Sequence, residues 1–272
     1  MTPSEENGAS PALEAGELHA ETEQEHAPVH ISLSAEKLFS LGGFPVTNSI
    51  VMSVIAFVLL AGGAWVLKRK IKLIPGMFQN IMEVVFEGVL SLMDSVLGSR
   101  SKSEKYLPLV ATIFFFVLIS NWLGLLPGVG SIVLHSEHGA TPLLRPPSSD
   151  LNFTLALAIL AVVIVNIFAV IALGIRAHAK KFFTLSNPIY TFVGLLEFIS
   201  EFAKIVSFSF RLFGNVFAGE VLLTIVAFLA PYFIPLPFLM LEVFVGFIQA
   251  FVFAMLALVF VAIATVEHAE VH

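Results

Sequence analysis

The chain has 272 residues, of which 57% are hydrophobic and only 12% charged, with a mean hydropathy of +0.93 and a net charge of −6. A soluble domain carries about twice that charged fraction, and apolar runs of twenty or more residues make this a polytopic membrane protein. Cysteine is absent, which excludes disulfides and thiolate chemistry.

Residues 1–45 form a polar, acidic tail with Glu5, Glu6, Glu14, Glu17, Glu21, Glu23 and Glu25 near its start. Such a segment cannot bury a core and is expected to be disordered. Its first thirty residues hold three His at irregular spacing, which favours a solvated tail over a metal site. The first apolar run begins near Thr47, so no cleavable signal peptide is expected. Residues 46–272 read as a single membrane domain, with membrane helices expected at about 47–67, 106–127, 152–175, 188–230 and 236–266.

Basic residues orient the spans. Lys68, Arg69, Lys70 and Lys72 follow the first, Arg100, Lys102 and Lys105 precede the second, and Arg176, Lys180 and Lys181 follow the third. All ten share one side if each stretch crosses once; Lys37 and Arg145 fall on the other. The tail is thus expected outside and the C-terminus in the cytoplasm. Residues 77–99 place Asn80, Glu83, Glu87, Ser91, Asp94 and Gly98 on one helical face. That pattern predicts an amphipathic helix at the cytoplasmic interface, either docking a protein partner through its acidic face or simply connecting two spans.

Length singles out the last two stretches. About 20 residues cross the hydrocarbon, whereas 188–230 would extend roughly 65 Å. No proline interrupts Ile189 to Ala230, and Pro231 and Pro235 mark a turn into the final helix. The expected fold is an all-α membrane protein. It has five membrane helices plus one cytoplasmic interfacial amphipathic helix, the last two membrane helices forming a long, strongly tilted hairpin.

Within the long helix, Glu197, Lys204 and Arg211 recur every seven residues, with a drift of only about 20° each time. Ser207, Gly214, Asn215 and Ala218 lie within about 60° of Arg211, giving a polar or small face that another helix can approach. Glu220 points nearly opposite, about 13 Å farther along. Glu242 and Gln249 share a face of the final helix. An arginine deep in lipid costs from about 3 to above 10 kcal/mol, and such residues usually mark ion pathways. Snorkelling, or pairing with a carboxylate such as Glu242 inside the bundle, are the plain alternatives. Lys204, with Glu201 and Glu197 nearby, fits a structural or channel-mouth role as well as a direct one. Arg211 keeps its proton, so it is a barrier and counter-ion rather than a carrier. Glu220 and Glu242, partly desolvated, are placed to pass protons through water. The pattern suggests two aqueous half-paths separated by a fixed cation.

RLFGN followed by AGE at Arg211–Glu220, IQAFVFAML at Ile248–Leu256, SNWLGLLPG at 120–128, SDLNFTLALA at 149–158 and LLEFISEFAKIVSFSFRLFGN at 195–215 carry a resemblance. Together they resemble the bacterial-type subunit a family of the rotary F-type ATP synthases, over nearly the whole chain after the tail. The resemblance implies a non-catalytic, proton-conducting stator in the bacterial inner membrane, without cofactor, metal or nucleic acid. Its partners would be a ring of small two-helix subunits, each bearing one carboxylate, and the peripheral-stalk subunits. Arg211 matches the family arginine that releases protons from ring carboxylates and blocks a leak. Asn215, Glu220 and Gln249 match polar residues near it, and Glu197 a carboxylate of the cytoplasmic half-channel, with Lys204 on the same face. The tilted hairpin matches the part of the family that hugs the ring.

Three positions depart from the family. Members often carry one Glu and one His at the positions of Glu220 and Glu242, whereas both are Glu here. A carboxylate that some members carry before the LLP motif is replaced, at the nearest position, by Gly124. His135 and His138 flank Glu137 in the outer loop, where ordinary loop residues are favoured over metal binding or proton feeding. Two other functions stay open. A self-contained secondary transporter would use Arg211 to bind an anionic substrate, although internal repeats and a broken helix, the usual marks, are missing. A membrane scaffold would use the charges only structurally. No G-x-x-x-x-G-K-[ST] loop occurs, which leaves nucleotide chemistry to other subunits.

Overall fold

The computed structural model describes residues 35–41, 43–72, 75–126, 128–129, 133–136, 139–182, 188–230 and 232–265. The chain opens with a two-stranded antiparallel hairpin, β1 (Lys37–Leu41) and β2 (Phe44–Thr47). The last part of the segment expected to be disordered, up to residue 45, is thus paired in this hairpin, with Gly43 at φ 92°. Residues 1–34, including the three tail histidines, lie outside the described residues.

Five helices are long and apolar enough to span a membrane. They are α1 (Asn48–Lys70), α3 (Arg100–Gly124), α4 (Leu151–Leu173), α6 (Pro188–Leu229) and α7 (Pro235–Thr265). The amphipathic segment forms α2 (Met77–Leu97), and a short helix not expected from the sequence, α5 (Ile175–Phe182), follows α4. A second hairpin, β3 (Val133–Ser136) with β4 (Gly139–Pro142), and a 3-10 turn at Pro147–Ser149 lie between α3 and α4.

Local chemistry sets the ends. Thr47 caps α1 by accepting from Ile50 N, and Asp150 caps α4 by accepting from Asn152 N at 3.0 Å. Gly98 ends α2 in the left-handed region at φ 67°, returning its N–H to Asp94 O. Pro188 and Pro235 open the two longest helices, where a missing N–H is harmless. α3 starts at Arg100, six residues before the expected apolar boundary, because basic residues extend a helix into the interface as readily as apolar ones extend it into lipid.

In lipid, helices associate through close packing rather than expulsion of water. The core accordingly relies on small residues: Ala158, Ala161 and Ala169 of α4, and Gly246, Ala250, Ala254 and Ala257 of α7 are buried. Phe208 of α6 packs against Phe253 of α7 with the rings tilted, centroids 4.5 Å apart, and Thr154 of α4 bonds Ser209 of α6 at 3.1 Å. α7 packs on α3 and α4, and α6 on α4 and α7. α6 has 42 residues and α7 has 31, so they extend about 63 and 46 Å and must tilt to stay within a bilayer.

Candidate functional site

The charged groups of α6 fall at three levels, separated by about 15 Å (Glu201 to Arg211) and 13 Å (Arg211 to Glu220) along the axis. Arg211 holds the middle level. It is half-buried, and its Nη2 donates to Ser207 Oγ, one turn back, at 3.2 Å. Among the described residues no carboxylate reaches ion-pair distance of Arg211, so the Arg211–Glu242 pair weighed from sequence is not formed. Ser207, Gly214, Asn215 and Ala218 are exposed around it, and a Cβ added at Gly214 would meet nothing within 4 Å. The arginine lies on an open strip of small side chains. The bundle core is on another side of α6, where Phe208, Leu212 and Val216 are buried.

Toward the C-terminal end of α6, α6 and α7 face each other through polar groups. Asn215 Nδ2 donates to Gln249 Oε1 at 2.6 Å, joining two residues singled out from sequence. Gln249 is buried and its Nε2 has no protein partner. Glu242 of α7 rests its carboxylate on the α6 backbone at Gly219, where an added Cβ would overlap it. Glycine is therefore what allows this acid to sit against α6 at this level.

Glu220 meets a residue that sequence reasoning left as an outer-loop charge. Its Oε1 lies 3.7 Å from Arg145 Nε, and its Oε2 is buried without a protein partner. Arg145 is 6% exposed. Its Nε donates to Ser149 Oγ at 3.0 Å, and its Nη2 reaches Ser149 O at 3.5 Å. The neighbouring Ser148 Oγ donates to Asn121 Oδ1 at 2.8 Å, and Asn121 Nδ2 donates to Gly246 O of α7 at 3.2 Å. Trp122 Nε1 adds a bond to Val243 O at 3.1 Å. Asp150 takes Ser49 Oγ of α1 at 2.9 Å. Gly124 makes room for this turn, since a Cβ there would lie 2.5 Å from Pro146 Cγ. Buried side-chain atoms of Glu220, Gln249 and Ser120 have no hydrogen-bond partner among the described residues, and an unmatched buried polar group costs about 1–3 kcal/mol.

The level nearest the N-terminus of α6 holds a second ion pair. Lys204 Nζ donates to Glu201 Oε1 at 2.6 Å, and Asn166 of α4 donates to Glu201 Oε2 at 3.2 Å. Glu197 is half-buried one turn earlier on this face. Of the candidates named from sequence, the structure thus joins Asn215 with Gln249, seats Glu242 against α6 at Gly219, and among the described residues gives Arg211 an ion pair with none of them. Arg145, Asn121, Ser148, Ser149 and Gly219 were missed individually, although the motifs at 120–128 and 149–158 and the AGE triplet bracket most of them. His138 and Glu137 lie outside the described residues.

At the interface, the acidic face of α2 is partly satisfied within the chain. Arg100 pairs with Glu87 at 2.8 Å, Asp94 at 3.2 Å and Glu104 at 3.3 Å. Bonding from Arg100 holds the Glu87 carboxyl below its ordinary range; the Ser103 hydroxyl, then Arg100, do the same for Asp94. These bonds favour the connecting-helix reading of α2 over an acidic docking face.

The ATP synthase A chain family matches residues 50–262. The chain is similar to the ATP synthase subunit a of Moorella thermoacetica, 34% identical over 226 residues, covering 83% of this chain and 94% of that one. It is also similar to those of Campylobacter concisus, 36% identical (75% and 85% covered), and Campylobacter jejuni, 38% identical (73% and 81% covered).

Proposed function

Given that the chain belongs to the ATP synthase A chain family, we propose that it is the proton-conducting stator of a bacterial F-type synthase, working as two half-paths divided by Arg211. It is a multi-pass membrane protein of ATP synthesis and proton transport. The observation that carries the finer reading is Arg211 itself, a permanent cation on a membrane helix, half-buried beside a strip of small residues and bonded among the described residues only to Ser207. An arginine at such depth costs from about 3 to above 10 kcal/mol. A carboxylate arriving from outside this chain offsets that cost, and the strip of Gly214 and Ala218 lets a partner helix approach closely.

On this reading the partner is a ring of small carboxylate-bearing subunits that turns past α6. Protons enter from the outer side among Glu220, Glu242, Asn215 and Gln249 and neutralise a ring carboxylate, which can then move into lipid. After nearly a full turn the carboxylate meets Arg211, whose charge favours the ionised form within about 4–6 Å. The proton leaves on the inner side, past Lys204 and Glu197. Arg211 cannot release its own proton and repels cations, so flow without rotation is blocked. Each charge crossing gains about 2.3 kcal/mol per 100 mV. Nucleotide chemistry belongs to other subunits, and the peripheral stalk holds this one still. The basic residues place the N-terminus outside and the C-terminus in the cytoplasm of the inner membrane.

ATP-driven proton pumping in inverted membrane vesicles tests this. Arg211→Ala should abolish pumping while the complex still assembles; near-normal pumping would remove the barrier role. The unbroken α6 tells against a self-contained transporter, whose helices usually break at midplane. Purification separates the two directly, because a stator brings ring and stalk subunits with it.

A further inference from the structure

Lys204 and Glu201 form the inner ion pair of α6, with side chains 19% and 16% exposed. Three helices close around it. Asn166 of α4 donates to Glu201 Oε2, and the Lys204 ammonium lies 5.0 Å from the ring centroid of Phe260 on α7. Both oxygens of Glu201 are thereby committed to fixed donors, which suits a static counter-charge and not a group that hands protons onward.

The basic residues of α6 are Lys204 and Arg211, seven positions apart and about 10 Å along the axis on nearly one face. Arg211 has no carboxylate at ion-pair distance among the described residues, whereas Lys204 has one at 2.6 Å. We infer that Glu201 is a charge-compensating residue: it cancels Lys204, so that Arg211 is the only uncompensated cation α6 presents to ions using its inner half. The inference rests on the proton-path reading above. A proton leaving Arg211's neighbourhood inward would otherwise climb toward a second fixed positive charge. One bare unit charge about 10 Å from the crossing ion, at an effective dielectric near 20, changes a rate by about tenfold. The competing role is a purely structural clamp between α4 and α6 through Asn166.

Vesicles carrying the whole complex distinguish the two roles. The readouts are ATP-driven pumping, passive proton conductance after the water-soluble head is stripped, and the amount of chain assembled. Glu201→Gln removes the charge but keeps the shape and one of the two acceptor oxygens, and it should slow both fluxes about tenfold at normal assembly. Adding Lys204→Gln removes the bare cation and should speed the single variant at least about threefold, as expected for coupled neighbours. A clamp predicts the opposite order, with the double variant no faster or less well assembled than the single one. That result, or wild-type flux in Glu201→Gln, overturns the inference. If the single variant assembles poorly, a double variant that assembles and pumps better still supports compensation, and one that fails equally overturns it. Arg211→Ala in the same vesicles separates this inference from its parent. Pumping in Arg211→Ala sinks the half-path reading itself. Silence there, with normal flux in Glu201→Gln, sinks only the compensation.

Discussion

Two arginines of this chain are held on opposite terms. Arg145 is 6% exposed, bonded to Ser149 and 3.7 Å from the Glu220 carboxylate. Arg211 is half-buried and bonded to a single hydroxyl of its own helix. The turn carrying Arg145 is tied to α3 through Ser148 and Asn121 and to α1 through Asp150 and Ser49. Around Arg211 there is an open strip of small residues. A cation satisfied within its own chain contributes to the fold, whereas one left on an open strip of a membrane helix is, on the proposed reading, kept for a partner. Replacing each arginine should therefore be felt in different measurements.

The largest effect is expected at Arg211. Arg211→Ala should lower pumping by at least about 100-fold, the scale of losing a preorganised electrostatic group, while the assembled amount stays normal. Arg145→Ala should act chiefly on stability. Breaking a buried pair costs about 3–5 kcal/mol, but Glu220 keeps 30% of its side chain exposed, so about 2 kcal/mol is expected. The melting temperature of the purified complex should fall, and pumping per assembled complex should drop by less than about tenfold. The contrast breaks if Arg211→Ala depletes the chain, or if Arg145→Ala silences transport at full stability.

Gly219 sharpens the same division at a single atom. Gly219→Ala places a methyl where the Glu242 carboxylate lies, and that acid must move. In mid-helix the exchange itself favours folding by about 1 kcal/mol. Transport should therefore fall by about tenfold, as for a displaced polar group, with no loss of thermal stability. A drop in melting temperature would show instead that the site cannot yield, and that Gly219 serves packing.

How much was legible follows from the same geometry. On one unbroken helix, spacing converts directly into position, so the face shared by Glu197, Lys204 and Arg211 follows from the seven-residue interval alone. Asn215 was placed on the face of Arg211 by the same spacing, whereas Gln249, on another helix, was matched to it only through the family resemblance. Arg145 with Glu220 could not be placed, because their meeting depends on how a loop with Pro146 and Pro147 folds back onto a helix far along the chain. Gly219 reads as one more small residue until Glu242 is seen against it. The β1–β2 hairpin and α5 were missed for a simpler reason. Both are short and lie outside the long apolar runs that define the membrane helices.

Arg100 supplies the third term of the comparison, and the smallest effect. It gathers three carboxylates, Glu87, Asp94 and Glu104, yet remains substantially exposed to solvent. Water already satisfies these charges, so an arginine with the most partners should matter least. Arg100→Gln should leave pumping unchanged and only loosen the α2–α3 corner, read as faster hydrogen exchange at residues 94–100. The pH dependence has a definite sign. Glu87 and Asp94 are held below their ordinary ranges, so they stabilise the corner above those ranges, and the contribution disappears as pH falls through the lowered folded values. Protection at the corner should thus be full at neutral pH and decline on acidification through the lowered carboxyl values in the native chain, whereas Arg100→Gln should flatten that acid-side change. An unchanged acid-side decline in Arg100→Gln would mean that Ser103 and the Gly98 turn hold the corner without the arginine.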